Sequence, residues 1–94
     1  MAGKIKAVIL DPDKDNVAVA LTDLEAEETV HLKNRSVTLK EKIPYQHKFS
    51  IKHIGAVEKI IKVGEFIGEA TNDIEPGYHV HIHNMKGLRA RAEF

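Results

Sequence analysis

Residues 77–84, GYHVHIHN, hold three of the chain's six histidines at alternate positions, directly after a Pro-Gly turn signal. Because successive side chains of a β-strand point to opposite faces, this spacing predicts a strand with one imidazole face and one apolar face. An apolar face needs a core, and an imidazole face needs a ligand or open water. The predicted faces are His79, His81 and His83 on one side and Tyr78, Val80 and Ile82 on the other.

The rest of the chain repeats this pattern of short strands between turns. Segments rich in Val and Ile alternate with Gly, Pro, Asn and Asp, and no stretch of helical length has a helical period. We therefore expect an all-β fold in one small domain, with a core over about residues 7–86 and a short basic tail over 87–94. The predicted strands cover residues 4–10, 17–21, 29–32, 36–39, 48–51, 58–63, 66–71 and 77–84.

Three local expectations accompany this assignment. Residues 52–55 resemble one helical turn that ends at a glycine. Alternation after Pro44 places Lys48 and Ser50 on the face opposite Phe49 and Ile51. No segment of the sequence resembles another closely enough to indicate an internal repeat.

Composition excludes several functional classes. The 94 residues have a formal net charge of zero and few aromatic side chains, which disfavours nucleic-acid binding. There is no cysteine, so thiolate metal sites and disulfides are excluded. The N-terminal apolar run, residues 7–10, is too short for a signal peptide or a membrane span. We expect a cytoplasmic protein with no membrane partner.

The histidine stretch is a candidate metal site of limited size. On a strand, alternate residues are ~6.5–7 Å apart, so His79 and His81 can converge on one ion. His79 and His83 would be ~13 Å apart, too far to share it. A site would therefore use two of these histidines and a ligand from elsewhere. The alternative is a solvent-facing strand whose imidazoles bind water or their neighbours.

Two further polar pairs are candidates for contact with a substrate. His47 and Lys48 follow a proline turn and could bring positive charge and proton transfer to a carboxylate. Asp15 and Asn16 precede a buried strand and could line the rim of a pocket. Either pair could equally be an ordinary turn.

Four segments stand in a characteristic order along the chain: DNVAVAL at 15–21, IPYQHKF at 43–49, IKVGEFIG at 61–68 and GYHVHIHN at 77–84. Together they resemble the N-terminal SAF domain of the altronate dehydratase family, and also the small subunit of the sulfolactate sulfo-lyases. The resemblance extends from about residue 7 to residue 86.

The resemblance implies a β-clip fold and metal-dependent lyase chemistry, with Fe²⁺ or Mn²⁺ as cofactor, on a small hydroxy acid. The chain ends soon after the histidines, which favours a small hydro-lyase subunit that is inactive without a separate large dehydratase subunit. The other functions considered are a sulfolactate sulfo-lyase subunit and a non-catalytic module that binds carbohydrate or acid. Alone, the chain could form a homo-oligomer through an open strand edge.

The implied site residues match the family's segments in this sequence. They are His47 and Lys48 as catalytic groups, Asp15, Asn16 and Asn84 as substrate-binding groups, and His79 and His81 as metal ligands.

Three positions depart from the family's pattern. Gln46 stands where the family has Gly, Val63 where it has an aromatic residue, and Ser50 where it has Ala. If the backbone at Gln46 has a positive φ, glutamine is strained there or the turn is different.

Overall fold

The computed structural model describes residues 5–33 and 35–87. Within these residues the chain forms nine short strands and no helix, which confirms the all-β prediction. All strand pairs are antiparallel. The strands are β1 Ala7–Val8, β2 Val17–Ala20, β3 Thr29–Leu32, β4 Arg35–Thr38, β5 Lys48–Ser50, β6 Lys59–Lys62, β7 Glu65–Ala70, β8 His79–Val80 and β9 Met85–Gly87.

The strands form three small sheets. A four-stranded sheet has the order β1-β2-β5-β8, a hairpin joins β3 to β4, and a three-stranded sheet has the order β6-β7-β9. A Val or Ile is buried in each of β2, β3, β4 and β6, where β-branched residues fit the pleated surface well, and two alanines are also buried in β2. The central pairings, β2 with β5 and β5 with β8, join distant parts of the chain.

One backbone motif occurs four times. A buried apolar residue forms an isolated β-bridge, a tight turn follows, and a strand begins directly after that turn. The third residue beyond each bridge residue has a positive φ, as the third position of a type II turn requires. The bridges pair Leu24 with Ile43 and Ile54 with Ile74, and the positive-φ residues are Glu27, Gln46, Val57 and Gly77, with φ of 72°, 71°, 63° and 93°.

These motifs divide residues 24–80 into two similar units, so the expectation of no internal repeat is wrong. The first unit, residues 24–50, and the second, residues 54–80, each contain a bridge, a hairpin, the partner bridge and a final strand. Each unit contributes to a separate hydrophobic cluster. The buried residues that correspond are Leu24 and Ile54, Val30 and Ile60, Leu39 and Ala70, Ile43 and Ile74, and Phe49 and Val80.

Glycine is required at one of the four turns. A β-carbon on Gly77 would lie 2.3 Å from the carbonyl oxygen of Thr38, and φ at Gly77 is 93°. Gln46 occupies the corresponding position of the first unit and has a φ of 71°, so the strain anticipated there is present. The backbone of the turn is kept although the glycine is absent.

One local expectation is wrong. The segment 52–55 is not helical, because the amide and carbonyl groups of Ile54 form the bridge to Ile74. Ser50 is fully buried, and its hydroxyl donates to the carbonyl oxygen of Glu75, which satisfies its polar group. Gly87, the first residue of the predicted tail, is the last residue of β9, and the rest of the tail, 88–94, lies outside the described residues.

Among the described residues there is no helix long and apolar enough to cross a membrane.

Candidate metal centre

The candidate site lies at the seam between the two units, where β5 of the first pairs with β8 of the second. The register places Lys48 opposite Val80 and Phe49 opposite His79. Each strand begins directly after a repeated turn, and continuing the antiparallel register past Lys48 places His47 opposite His81, with His79 as its diagonal neighbour. His47 therefore meets His79, and its Nδ1 atom lies 2.8 Å from Nε2 of His79.

The histidine stretch is a strand for only two residues. The chain then turns, and the backbone amide of Asn84 donates to the carbonyl oxygen of His81. The ring of His81 stacks on that of His79, with 5.4 Å between centroids and 9° between planes. The rings of His79 and His83, which an extended strand would hold about 13 Å apart, have centroids 5.5 Å apart. The prediction of a strand over 77–84 is wrong because the backbone folds back.

The same turn changes the predicted apolar face. Val80 is fully buried in the core of the second unit, as expected. Tyr78 and Ile82 are 40% and 82% exposed, so they do not pack beneath the histidines. The apolar face is therefore confirmed at one residue of three.

We define the histidine cluster as His47, His79 and His81. One ring nitrogen from each lies within 4.8 Å of the other two, and all three side chains are partly exposed. The ring centroid of His47 is 5.0 Å from that of His79 and 4.7 Å from that of His81. The ligand from elsewhere that a site at His79 and His81 requires is thus available as His47.

The donor set suits a divalent cation. Neutral imidazole is a common ligand for first-row metals, including iron. Two nitrogens bound at right angles, each about 2.1 Å from an ion, are about 3.0 Å apart. The observed 2.8 Å between His47 and His79 is close to that separation, and without an ion it is an N–H···N hydrogen bond. Three nitrogens bound on one side of an ion would leave the coordination positions on its other side open to water or substrate.

The electrostatic environment favours the neutral form of His79 and His81. The pKa of His79 is lowered to about 4, first by burial and then by the neighbouring imidazoles, while the nearby carboxylate of Glu41 raises it by less. Burial and the charges of His47 and Lys48 also lower the pKa of His81. Unprotonated imidazole is the form that binds metals, so His79 is ready for a ligand role near pH 7.

Two side chains hold the backbone of the cluster in place. The amide oxygen of Asn84 accepts from the backbone N–H of His81 at 2.9 Å, and its NH₂ group donates to the carbonyl oxygen of His79 at 2.8 Å. Glu41 accepts from the backbone N–H of His79 at 2.9 Å. Asn84, expected to bind substrate, thus connects two histidines of the cluster.

Lys48 lies beside the cluster on β5 and is partly buried. Burial lowers its pKa, and the charge of Lys62 lowers it further. In the part of the chain that the structure describes, no carboxylate forms an ion pair with Lys48. Its charge is therefore available to an incoming anion.

Asp15 and Asn16 hold the β6–β7 hairpin. The buried Asp15 carboxylate accepts from the backbone N–H groups of Asp11, Val63 and Gly64. Asn16 accepts from the N–H of Ile61 and donates to the carbonyl oxygen of Lys59. These bonds give both residues a structural role, and their contact with a substrate stays a prediction.

The sequence-based reasoning placed His47 in the same site as His79 and His81, as a catalytic group, but did not identify it as the further ligand that these two histidines need. The missed signal was the pair of turns PYQH and EPGY, 31 residues apart, each directly before a strand. Once those two strands pair in the antiparallel register, the last residue of the first turn lies beside the alternating histidines that follow the second turn.

The fold and the site together define the class of protein. It is a small all-β domain in which three imidazoles converge at the seam of two repeated units. Residues 6–88 match the altronate/galactarate dehydratase SAF domain. The chain therefore belongs to this family.

Individual relatives support the assignment and set its scope. Altronate dehydratase of Escherichia coli strain K12 is 44% identical over 72 residues, and that of Bacillus subtilis strain 168 is 37% identical over 82. These matches cover 77% and 87% of this chain but only 14% and 16% of the relatives. The (2R)-sulfolactate sulfo-lyase subunit alpha of Paracoccus pantotrophus is 43% identical over 53 residues, 56% of this chain and 79% of that subunit. The domain thus occurs both within longer enzymes and as most of a short subunit.

Proposed function

We propose that this chain is the SAF-domain component of a metal-dependent carbon–oxygen lyase that dehydrates a sugar acid. It would work with a larger catalytic polypeptide in the cytoplasm. The convergence of His47, His79 and His81 at the seam of the two units is the observation that carries the proposal. The similarity to two altronate dehydratases supports the reaction class.

The residues of the site suit this chemistry. Dehydration beside a carboxylate removes the proton on the α-carbon and expels the hydroxyl group on the β-carbon. When bound, a divalent cation such as Fe²⁺ or Mn²⁺ supplies stabilisation for the negative charge that develops on the substrate. Lys48 would attract the substrate carboxylate, and its lowered pKa favours a role in proton transfer.

His47 can combine two roles. Its Nδ1 atom faces His79, so a ligand role would use that nitrogen. The Nε2 atom of the same ring would then carry a proton that it can exchange with substrate. Asp15, Asn16 and Asn84 would act by holding the surrounding backbone, and direct contact with the substrate stays a prediction for all three.

A second candidate function is a subunit of a carbon–sulfur lyase. The observation that favours it is the match to a sulfolactate sulfo-lyase subunit alpha, of which this chain covers 79%. Both reactions begin from a small hydroxy acid, so the same cluster and the same lysine would serve either. The two functions differ in the leaving group and in the net charge of the substrate.

The first experiment tests the metal centre. The metal-free chain is titrated with Mn²⁺ and Zn²⁺ by calorimetry, alongside His79→Ala and a control, His31→Ala. His31 bonds Ser36 on the exposed β3–β4 hairpin, so its loss should not alter metal binding. We expect one ion per chain in the wild type and the control, and affinity lower by tenfold or more in His79→Ala. Equal affinity in all three proteins would refute the centre.

The second experiment tests the reaction. The polypeptide that copurifies with the tagged chain is assayed with altronate and with (2R)-sulfolactate, before and after this chain is removed. Water loss from altronate that depends on this chain and falls in His79→Ala supports the proposal. Release of sulfite alone supports the carbon–sulfur lyase. Full turnover without this chain would identify a non-catalytic binding module.

A further inference from the structure

A cavity of about 520 Å³ lies directly beside the histidines, and the proposed reaction leaves it without a role. This volume is within the usual range for a small-molecule site. His83 and Asn84 belong to the histidine turn, and Glu41 holds the backbone of His79, so the cavity is continuous with the candidate centre. Its walls are formed by Glu41, Asn72, Asp73, Ile74, Glu75, Tyr78, His83 and Asn84.

The walls carry groups that recognise hydroxyls. Glu41 and Asp73 each use one carboxylate oxygen to accept a backbone N–H of the chain, from His79 and Ala56 respectively. Each has a second oxygen that can accept from a ligand. The Asn72 side chain accepts from Thr71 through its oxygen, and its NH₂ group can donate to a ligand oxygen.

An aromatic ring completes the hydroxyl-binding set. Tyr78 lies on the wall and is 40% exposed, so its ring offers an apolar face beside polar groups. A polyhydroxylated carbon chain presents C–H surfaces and hydroxyls together. The mixed wall of carboxylates, amide and aromatic ring matches that combination.

The same walls disfavour a second negative charge. Three carboxylates line the cavity, those of Glu41, Asp73 and Glu75, and the one titratable nitrogen among its described lining residues belongs to His83. His53 lies 3.7 Å from Glu75 but is not part of the wall. A ligand anion inside the cavity would lie close to these carboxylates, and like charges a few ångströms apart repel appreciably even in a water-rich environment. A neutral hydroxylated chain would enter, and a second carboxylate or a sulfonate would be repelled.

We infer that this cavity is the subsite for the uncharged, hydroxyl-bearing part of the substrate. The site thereby selects monocarboxylic sugar acids over dicarboxylic and sulfonated ones. The inference rests on the proposed function, because the single carboxylate of the substrate is taken to face the histidines and Lys48. This selectivity distinguishes the carbon–oxygen lyase from the carbon–sulfur lyase. Altronate carries one negative charge, whereas galactarate and sulfolactate each carry two.

The test ranks the binding of three acids to the 94-residue chain. Proton–nitrogen correlation NMR spectra follow titration with altronate, galactarate and (2R)-sulfolactate at low ionic strength, first without metal and then with Zn²⁺. We expect altronate to shift the signals of Asn72, Tyr78 and Asn84 and to bind roughly tenfold more tightly than either dianion, the size that repulsion by several nearby carboxylates can produce.

Matched variants assign the preference to the walls. Asp73→Asn and Glu75→Gln remove one charge each and keep an oxygen in place, so each should lower the altronate preference roughly threefold. The control is Asp23→Asn. Asp23 accepts the backbone N–H of Tyr45 just as Asp73 accepts that of Ala56, but in the first unit and away from the cavity. It should leave the preference unchanged.

The outcomes separate this inference from the proposed function. Preference for altronate that falls in Asp73→Asn and Glu75→Gln but not in Asp23→Asn supports the subsite. Equal binding of the three acids, binding of none, or a preference that survives both wall variants overturns it. The Zn²⁺-dependent shifts of the His47, His79 and His81 ring signals report the metal centre separately. Their absence would refute that centre even if the ranking in the metal-free titration held.

Discussion

Asn16 and Asn84 form the same pair of bonds in two different regions. Asn16 bonds the N–H of Ile61 and the carbonyl oxygen of Lys59. Asn84 bonds the N–H of His81 and the carbonyl oxygen of His79. In both regions one amide side chain holds two residues that are two positions apart.

The difference lies in what each asparagine holds. Asn16 supports a hairpin whose side chains complete the core, and Asp15 next to it is buried. Asn84 supports a turn whose imidazoles remain partly exposed. The same bonding therefore stabilises the fold in one region and arranges a candidate site in the other. Substitutions in the two regions can separate the role in stability from the role in the candidate site.

The largest effect is expected at Asp15. Replacing Asp15 with Ala leaves three backbone N–H groups without their acceptor, two of them in the hairpin turn at Val63 and Gly64. We expect the free energy of unfolding to fall by about 4 kcal/mol, as for a broken buried network. Chemical denaturation measures it. The exposed Asp13, in the same loop, is the control, and a stability of Asp15→Ala equal to that of Asp13→Ala would contradict the structural role.

Substitutions of Asn16 and Asn84 should have similar effects on stability but different effects on metal affinity. Asn16→Ala and Asn84→Ala should each lower the free energy of unfolding by about 1–2 kcal/mol, because each removes two hydrogen bonds. Only Asn84→Ala should weaken metal binding, by roughly tenfold, as is common when a group that orients ligands is lost. Denaturation and calorimetry on both variants decide this. Equal metal affinities would remove the distinction between the two regions.

Acid should destabilise the histidine region selectively. The folded pKa of His79, about 4, is below its ordinary value of 6.5, so the unfolded chain takes up the proton first as the pH falls. The contribution to stability is complete above pH 6.5 and is lost as the pH falls towards 4. Because the side chain is partly exposed, we expect a smaller effect than that of the asparagine variants.

Denaturation across this pH range, in the wild type and in His79→Asn, measures the effect. The variant should lose less stability on acidification than the wild type. Parallel curves for the two proteins would show that His79 does not titrate as described.

The smallest effect is a gain, at the turn that Asp15 supports. Val63 and Gly64 have φ of 57° and 71°, as in a type I′ turn, where a β-branched residue is strained. Val63→Asn gives this turn its preferred Asn-Gly sequence and should stabilise the chain by about 0.5–1 kcal/mol. Thermal denaturation checks it. Combined with Asp15→Ala, the gain should shrink, because the turn is then no longer held.

Local sequence patterns were sufficient for much of the fold. Alternation in residues 36–39 and the apolar run that begins at Val17 led to strands with nearly the observed bounds. Strands were also predicted over 58–63 and 66–71, but the turn between them lies one residue earlier than that gap, at Val63-Gly64, because Asp15 holds both amides from 48 or more residues away. Long-range bonds of this kind leave no local signal.

The site was only partly predictable for the same reason. Alternating histidines indicated a strand, but Asn84 closes the chain into a turn after Val80. His47 joins the others through the pairing of β5 with β8, which lie about thirty residues apart. The repeat itself was missed because its two units share buried positions and turns rather than particular side chains.

The repeated architecture also bears on the order in which the molecule forms. Each unit contains a hairpin and a bridge that close short loops, and such local contacts form rapidly in a folding chain. The pairing of β5 with β8 joins one unit to the other and has to follow them. His47 belongs to one unit and His79 and His81 to the other. A chain with only one unit folded would therefore have no three-histidine cluster, and capture of an ion would mark the completion of folding.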